Sequence, residues 1–361
     1  MSLNSFREYR PKIFDEILGQ DNIISVLKNQ IIYNTYSNAY LFCGERGTGK
    51  TTTARVFAKA INCENIENYN PCNKCENCIK SMNNLFEIDA ASNNSVEDIR
   101  GIIDKIKFAP IFSKFNIFII DEVHMLSQAA FNALLKTLEE PPKYVIFILI
   151  TTELNKVPST IISRCQLYNF RLIDNNDIIK ELKRILDNKN IKYDIDSLYT
   201  IADKAEGGMR NALSILDSII CFSGTEISNK VVAEILNILD DDIFFDLFNL
   251  IKSNRQDLVL LKYNEIYKSG FSNYSFIDSL LNFTLNIYLS KNKSTLGLIN
   301  KNTSKIEKFE NLSKDIDIDV LNKIIRLINK ASLEYKLAMN KTMYINILLL
   351  NITELINNGK F

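Results

Sequence analysis

Residues Leu41–Thr52 read LFCGERGTGKTT, a glycine-rich run that connects a predicted buried strand to a predicted helix. Its segment Gly44–Thr51 fits the phosphate-loop pattern G-x-x-x-x-G-K-T without a gap. Glycines let backbone N–H groups approach a phosphate, and the following helix would direct its positive N-terminus at the anion. The alternative is a glycine-rich turn without a ligand. The buried-strand pattern of AYLFCG and the helical spacing of TTARVFAKAIN favour a nucleotide site.

The motif also assigns roles to single residues. Lys50 would reach the β- and γ-phosphates, and Thr51 would be a ligand of Mg²⁺. The predicted nucleotide-binding residues of this loop are Gly44, Glu45, Arg46, Gly47, Thr48, Gly49, Lys50, Thr51 and Thr52.

The composition limits the class of protein. At 361 residues, 46% hydrophobic and 24% charged, the chain is expected to form two or three globular domains. Lys and Arg number 43, as do Asp and Glu, so any contact with nucleic acid must be local. No apolar run is long enough to span a bilayer, and the first residues lack a signal-peptide core. Seven cysteines without an export signal argue against a disulfide framework, so we expect a cytoplasmic protein with no membrane partner.

The first half of the chain alternates apolar runs with helical patterns. The predicted strands are Ala39–Cys43, Leu85–Asp89, Asn116–Asp121, Val145–Thr151 and Gln166–Phe170. Continuously apolar strands separated by helices predict a parallel sheet with helices on both faces. After about Phe170 only helical patterns remain. We therefore expect an α/β core over residues 1–172, a small helical domain over 173–238 and an all-helical domain over 239–361.

A pair of acidic residues follows one of the predicted strands. In NIFIIDEVHML, four apolar residues lead to Asp121 and Glu122. With a phosphate loop upstream, Asp121 would hold Mg²⁺ and Glu122 would polarise the attacking water. The alternative is an acidic N-cap at a strand-to-helix turn. His124 is the only histidine of the chain, and the sequence assigns it no catalytic role.

Four cysteines cluster in NCENIENYNPCNKCENC: Cys63, Cys72, Cys75 and Cys78. The spacing C-x8-C-x2-C-x2-C suits a closed, tetrahedral Zn²⁺ site of the structural kind. An iron–sulfur cluster uses the same ligands and is the main alternative. Zinc is favoured because nothing else in the chain indicates electron transfer. The other three cysteines are expected to be small core residues: Cys43, Cys165 and Cys221.

Two arginines lie in distinctive contexts. Arg164 precedes a predicted edge strand in VPSTIISRCQ, and Arg210 opens a helix in AEGGMRNALS. An isolated arginine in such a place is usually a surface charge. Both positions make sense if a nucleotide is held between domains or subunits, because a guanidinium can neutralise charge that develops on the γ-phosphate.

Together these motifs resemble the AAA+ clamp-loader ATPases, and among them the γ/τ subunits of bacterial DNA polymerase III. The resemblance rests on GERGTGKT, the four-cysteine module, DEVHML, NALLKTLEEPP, TTELNKVPSTIISRC and GGMRNALS, and on YRPKIFDEILGQ near the N-terminus. It is strong over roughly residues 5–240 and looser beyond. It implies an α/β AAA+ P-loop core with a zinc module at about residues 63–78, a helical lid and a helical collar.

The resemblance implies further roles for matching residues. Thr152, after the VIFILITT strand, looks like the sensor that orients the water. Arg164 looks like the arginine finger, which in this family acts in trans on ATP of the neighbouring subunit, and Arg210 looks like the second sensor. Tyr9, Arg10, Pro11 and the Gly19–Gln20 region resemble the adenine pocket. The implied cofactors are ATP, Mg²⁺ and Zn²⁺.

The function that the resemblance implies is to open a ring-shaped sliding clamp and close it around primed DNA. The implied partners are other clamp-loader subunits, further copies of this chain, the sliding clamp and the backbone of primer–template DNA. The chain ends near the end of the collar, so a γ-like product without helicase or polymerase tethering is expected. Gly208 and Asn211 depart from the Ser and Asp that the family often carries near Arg210. The alternatives are an AAA+ DNA translocase and a loader scaffold that does not hydrolyse ATP; nucleotidyl transfer is not expected.

Overall fold

The computed structural model describes residues 5–79, 84–110, 113–224, 226–237 and 239–358. Two compact units are present: Met1–Ile185 with Lys204–Asp217, and Leu186–Asp203 with Ser218–Phe361. This division does not follow the expected boundaries at residues 172 and 238, and those boundaries stay predictions.

The first unit contains a five-stranded parallel sheet. Its strands are β1 (Ala39–Cys43), β2 (Leu85–Asp89), β3 (Asn116–Asp121), β4 (Val145–Thr151) and β5 (Gln166–Asn169). The strand order is β2-β3-β4-β1-β5, and every neighbouring pair is parallel. The bounds of β1 to β4 confirm the prediction, and β5 ends one residue earlier than predicted. Because β1 lies inside the sheet, the loop that follows it opens at the carboxyl edge, where open parallel sheets bind ligands.

Helices account for most of the remaining chain. They are α1 (Ser5–Glu8), α2 (Asp21–Tyr33), α3 (Lys50–Asn62), α4 (Glu76–Ile79), α5 (Val96–Ile106), α6 (Gln128–Glu139), α7 (Ser159–Ile162), α8 (Asn175–Asn188), α9 (Ile195–Lys204), α10 (Met209–Ser223), α11 (Asn229–Ile235), α12 (Asp241–Lys252), α13 (Gln256–Lys268), α14 (Asn273–Leu289), α15 (Thr303–Lys314), α16 (Ile318–Glu334) and α17 (Lys341–Asn358). Short 3₁₀ helices include Val123–Met125 and Leu154–Lys156.

Both faces of the sheet are covered by helices. Successive side chains of a strand point to opposite faces, so Tyr40 of β1 packs in one cluster with α2 and α3. Its neighbour Leu41 packs in a second cluster with α5 and α6. All five residues of β1 are buried. The predicted parallel sheet with helices on both faces is confirmed.

Helix ends follow local sequence signals. Ser95 caps α5 by accepting from the Asp98 N–H at 3.2 Å, and the Asp98 carboxylate accepts from the Ser95 N–H at 3.1 Å, which completes a capping box. Helix α6 is capped by Ser127 and ends at Glu139, shortly before Pro141 and Pro142, which cannot continue a helix.

The second unit is almost entirely helical. Helices α12 to α17 enclose a core that includes Phe244, Phe283 and Phe309, which agrees with the helical prediction for this part. A two-stranded parallel sheet of β6 (Lys192–Tyr193) and β7 (Glu226–Ile227) was not predicted. Within the ranges that the structure describes, no helix is both long enough and apolar enough to cross a membrane.

Candidate functional site

The phosphate loop connects β1 to α3. Gly44 has a φ of +140°, and a Cβ atom there would lie 2.4 Å from the carbonyl oxygen of Phe170. Gly47 has a φ of +86°, in the left-handed region that side chains disfavour. Any side chain at Gly44 would therefore displace the neighbouring backbone, and the loop keeps its backbone open to a ligand.

The start of α3 offers free backbone donors and a buried ammonium group. The first helical bond runs from the Thr53 N–H to the Gly49 carbonyl at 2.8 Å, so the preceding amides have no partner within the helix. Lys50 is only 6% exposed, and its Nζ donates to the carbonyl oxygens of Gly44 at 2.6 Å and Glu45 at 2.7 Å. Burial lowers the pKa of Lys50, while nearby carboxylates act in the opposite direction.

Two oxygen ligands of the kind that Mg²⁺ prefers lie together at the end of β3. The Thr51 hydroxyl donates to Asp121 Oδ2 at 2.8 Å. The other carboxylate oxygen, Asp121 Oδ1, accepts from the Glu122 N–H at 2.9 Å. A hydroxyl and a carboxylate beside a phosphate loop fit a magnesium ion that is also bound by phosphate oxygens and water.

Glu122 has an unusual backbone and a restrained carboxylate. Its φ of 49° and ψ of 45° place it in the left-handed region, which costs a residue with a Cβ about 1–2 kcal/mol. The hydroxyl of Thr152, the residue after β4, donates to Glu122 Oε2 at 3.2 Å. Such backbone strain is typical of functional sites, where the neighbouring structure fixes the orientation of a side chain.

The predicted nucleotide contacts surround one cavity of about 660 Å³. Its lining includes Tyr9, Arg10, Pro11, Arg46, Gly47, Thr48, Gly49, Lys50, Thr51, Thr52, Asp121, Glu122 and Arg210. This brings the predicted adenine-pocket residues, the phosphate loop, the acidic pair and the second arginine to the same place. Gly44, Glu45, Thr152 and Arg164 lie outside the lining.

Arg210 is held at the phosphate loop by the start of α10. The Met209 N–H donates to the Gly47 carbonyl at 3.1 Å. The Arg210 guanidinium lies over the Phe6 ring, 5.5 Å from its centroid. Both residues line the cavity, and the face of an aromatic ring attracts a cation.

Arg164 lies away from the cavity of its own chain. Its Nη2 forms an ion pair with Glu139 Oε1 at 2.7 Å, and its Nη1 donates to the Thr160 carbonyl at 2.7 Å. The side chain is 35% exposed. The guanidinium thus lies outside the lining of the cavity beside Lys50.

Gln20 contributes a link that the sequence did not reveal. Its Nε2 donates to the Arg171 carbonyl at 2.8 Å, and its Oε1 accepts from the Arg171 N–H at 3.2 Å. Gln20 is buried, and its Nε2 also lies 3.4 Å from the Thr48 carbonyl. The Gly19–Gln20 region thus braces the phosphate loop rather than lining the cavity.

The four clustered cysteines form a separate candidate metal centre. Their sulfur atoms all lie within 4.8 Å of one another, and those of Cys72 and Cys78 are 3.9 Å apart. Sulfurs bound tetrahedrally at about 2.3 Å are separated by about 3.8 Å, so the cluster has the size of a zinc site. The backbone N–H groups of Lys74 and Cys75 donate to Cys72 Sγ and lower the pKa of that thiol to about 6, which favours the thiolate.

The remaining cysteines only partly match the expectation of core positions. Cys43 is buried, and its thiol donates to Asn169 Oδ1 at 2.5 Å. Cys165 is partly buried. The expectation for Cys221 is wrong, because this residue is exposed on the outer side of α10 near its C-terminal end.

We predict about one zinc ion per chain when the purified protein is analysed for metals. Replacing Cys75 by serine should remove the ion, because it deletes one of four ligands, and should lower the thermal unfolding midpoint. Cys221→Ser is the matched control, since Cys221 is exposed and far along the sequence from the cluster, and it should retain the metal. Finding iron, or no metal in the unaltered protein, would contradict the zinc assignment.

His124, which the sequence left without a role, is also part of the site. Its Nδ1 lies 3.0 Å from the Thr151 hydroxyl and 3.6 Å from Glu122 Oε2. The only signal for it in the sequence was its place two residues after Glu122.

Comparisons with known proteins place these features in one family. The family model described as DNA polymerase III, delta subunit, matches residues 19–174. The model for the ATPase lid domain of the DNA polymerase III clamp loader subunit matches 177–225, and that for domain III of subunits gamma and tau matches 227–358.

Curated relatives cover much of the chain. The DNA polymerase III subunit tau of Bacillus subtilis is 38% identical over 97% of this chain and 63% of that protein. Subunit gamma of Buchnera aphidicola subsp. Acyrthosiphon pisum is 35% identical over 88% of this chain and 90% of that protein. Subunit tau of Escherichia coli is 38% identical over 73% of this chain and 42% of that protein, so the chain spans about half the length of the tau subunits it matches.

A solved structure of the Thermotoga maritima RuvB branch migration motor aligns over 71% of this chain and 85% of that one. At 20% identity and a TM-score of 0.48, the likeness carries no inference about function. The curated relatives decide the assignment, since one of them is matched over nine-tenths of its length. The chain belongs to the family of DNA polymerase III gamma and tau subunits.

Proposed function

We propose that this chain is an ATP-hydrolysing subunit of the bacterial replicative clamp loader, which opens the sliding clamp and loads it on primed DNA. The observation that carries the proposal is the single cavity where Lys50, Thr51, Asp121 and Glu122 meet. Family membership supports the same reading. The cytoplasm, where bacterial replication takes place, is the proposed location.

The proposed chemistry assigns one task to each group. Lys50 and the amides at the start of α3 bind the phosphates, and Thr51 with Asp121 would hold Mg²⁺. A bound Mg²⁺ would neutralise phosphate charge. Glu122 orients and polarises the attacking water through a carboxylate that Thr152 restrains at Oε2. Tyr9, Arg10 and Pro11 would line the adenine pocket.

The two arginines are proposed to act on the γ-phosphate from different molecules. Arg210 contacts it from the lid of the same chain, and Arg164 contacts ATP bound to the neighbouring subunit. The partial exposure of Arg164 and its absence from the lining of its own cavity support action in trans. This requires a ring-like or spiral assembly in which each site lies at an interface.

We further propose a core over residues 1–172, a lid over 173–238 and a collar over 239–361 that joins subunits. The partners would be other loader subunits, further copies of this chain, the clamp, and primer–template DNA contacted through its backbone. Zinc bound by the four cysteines would be structural, because all four coordination positions are filled by protein.

ATP hydrolysis by the chain, reconstituted with loader subunits, tests the proposal. We expect stimulation to require both the sliding clamp and a primed DNA junction. Stimulation by DNA alone would contradict it and favour a DNA translocase. An assembly that binds ATP and loads clamps without hydrolysis at this subunit would favour the scaffold alternative.

A further inference from the structure

His124 lies between the proposed catalytic carboxylate and a neighbouring loop. It belongs to the 3₁₀ helix Val123–Met125, and its side chain is 7% exposed. Nδ1 is 3.0 Å from Thr151 Oγ1 and 3.6 Å from Glu122 Oε2, whereas Nε2 is 3.5 Å from Glu153 Oε1. One nitrogen of the imidazole thus lies near Glu122, and the other lies near Glu153 in the loop that follows β4.

The hydroxyl of Thr151 joins the ring to the same loop through the backbone. Thr151 is fully buried at the end of β4, and its Oγ1 accepts from the Glu153 N–H at 3.0 Å. Whichever ring nitrogen carries the proton, an acceptor faces it: Thr151 and Glu122 on one side, Glu153 on the other. A neutral ring donates through one nitrogen only, so with the proton on Nε2 it faces Glu153 while Nδ1 accepts from the Thr151 hydroxyl. An aliphatic side chain of similar size could make neither contact.

Glu153 begins the segment that leads along the chain to Arg164. Lys156 forms an ion pair with Glu153 at 2.8 Å across the 3₁₀ helix Leu154–Lys156. Helix α7 follows, and Arg164 donates to the Thr160 carbonyl of that helix at 2.7 Å. Besides Thr152, His124 is therefore a side chain that contacts both Glu122 and the segment that leads to Arg164.

We propose that His124 is a positioning residue that couples the chain's own ATP site to the Arg164 that it presents to the neighbouring subunit. The proposal rests on the proposed function, since it assumes that Glu122 acts in cis and Arg164 in trans. The coupling would act on Glu122, whose backbone is left-handed and whose carboxylate oxygen Oε2 is contacted by both Thr152 and His124.

The first test compares ATP hydrolysis by assembled complexes. His124→Leu should lower kcat about tenfold and change the KM for ATP by less than about twofold, because it disturbs Glu122 rather than nucleotide binding. His124→Asn keeps a polar atom near the position of Nδ1 and should recover most of kcat. Met125→Leu, in the same short helix but exposed, is the control and should match the unaltered chain. Equal losses in the Leu and Asn variants, or a rise in KM alone, would overturn the positioning role.

The second test measures hydrogen exchange in the loop at Glu153 and does not depend on ATP hydrolysis. Hydrogen exchange at the Glu153 amide should be faster in His124→Leu than in the unaltered chain, because the Thr151 hydroxyl loses its second partner. His124→Asn keeps a polar atom for the Thr151 hydroxyl, so exchange at the Glu153 amide should return towards that of the unaltered chain. Unchanged exchange would overturn the link to the loop even if the complex had no ATPase activity. An inactive unaltered complex with the expected exchange difference would instead contradict the proposed function.

The third test isolates the effect in trans. Chains that carry Lys50→Met present Arg164 but have no competent site, whereas Arg164→Ala chains have a site but no finger. We expect a mixed assembly of the two to hydrolyse ATP several-fold more slowly when His124→Leu is added to the Lys50→Met chain. An unchanged rate would show that His124 acts only within its own site and would overturn the coupling.

Discussion

Arg164→Ala should slow ATP hydrolysis by the assembled complex about 10³-fold while leaving ATP binding by the chain intact. Arg164 lies outside the lining of its own cavity, and we propose that it acts on ATP bound to the neighbouring subunit. Steady-state hydrolysis with clamp and primed DNA, together with ATP titration of the isolated chain, measures both effects. Arg164→Lys should also be slow, because an ammonium lacks the planar fork of a guanidinium.

The matched control for this variant is Glu139→Gln. It removes the carboxylate that pairs with Arg164 on the surface but keeps the guanidinium. An exposed pair of this kind contributes about 0–1 kcal/mol, so neither variant should unfold the chain. If the isolated chain lost its basal hydrolysis as strongly as the complex, Arg164 would be acting in its own site.

Lys50→Met should weaken ATP binding at least about 100-fold, which corresponds to about 2.7 kcal/mol. The substitution keeps the aliphatic stem and removes the only lysine that lines the cavity on the described part of the chain. Lys59→Met, in the same helix but outside the cavity lining, is the control and should bind ATP normally. Fluorescent-nucleotide titration measures the affinities, and intact binding by Lys50→Met would refute the phosphate-loop assignment.

The same variant should not lower stability at neutral pH. Burial lowers the pKa of Lys50 below its unfolded value, so burying the charged form costs free energy of folding. That cost is fully present below the folded pKa and disappears as the pH rises past the unfolded pKa. Removing the ammonium relieves it, and the thermal midpoint near pH 7 should stay the same or rise.

The centre of the sheet was predictable because β1, β3 and β4 are short, buried and almost wholly apolar. Such runs can only be covered on both faces, which made their bounds readable from residue type alone. Strands β2 and β5 are partly exposed and carry polar residues. The β6–β7 pair was missed because two residues carry no periodicity. Cys221 was misjudged because its small apolar side chain lies on the exposed side of a helix, and residue type does not reveal which side faces solvent.

The phosphate loop and the acidic pair could be found because their residues are adjacent in sequence. The contacts of Gln20 and His124 could not, since they join residues from separate strands and loops. The left-handed backbone of Glu122 was likewise invisible, because no glycine or asparagine marks it. The ion pair of Arg164 with Glu139 depends on how α6 and α7 pack, which short motifs do not specify.

If each ATP is hydrolysed by residues from two subunits, two different inactive chains should complement each other when they are mixed. Lys50→Met and Arg164→Ala chains would each be assembled alone, and then together, with the other loader subunits, clamp and primed DNA. Each single assembly should be inactive. The mixture should recover hydrolysis, because the ATP site of an Arg164→Ala chain can then lie against the Arg164 of a Lys50→Met chain. A mixture no more active than the two separate assemblies would contradict it.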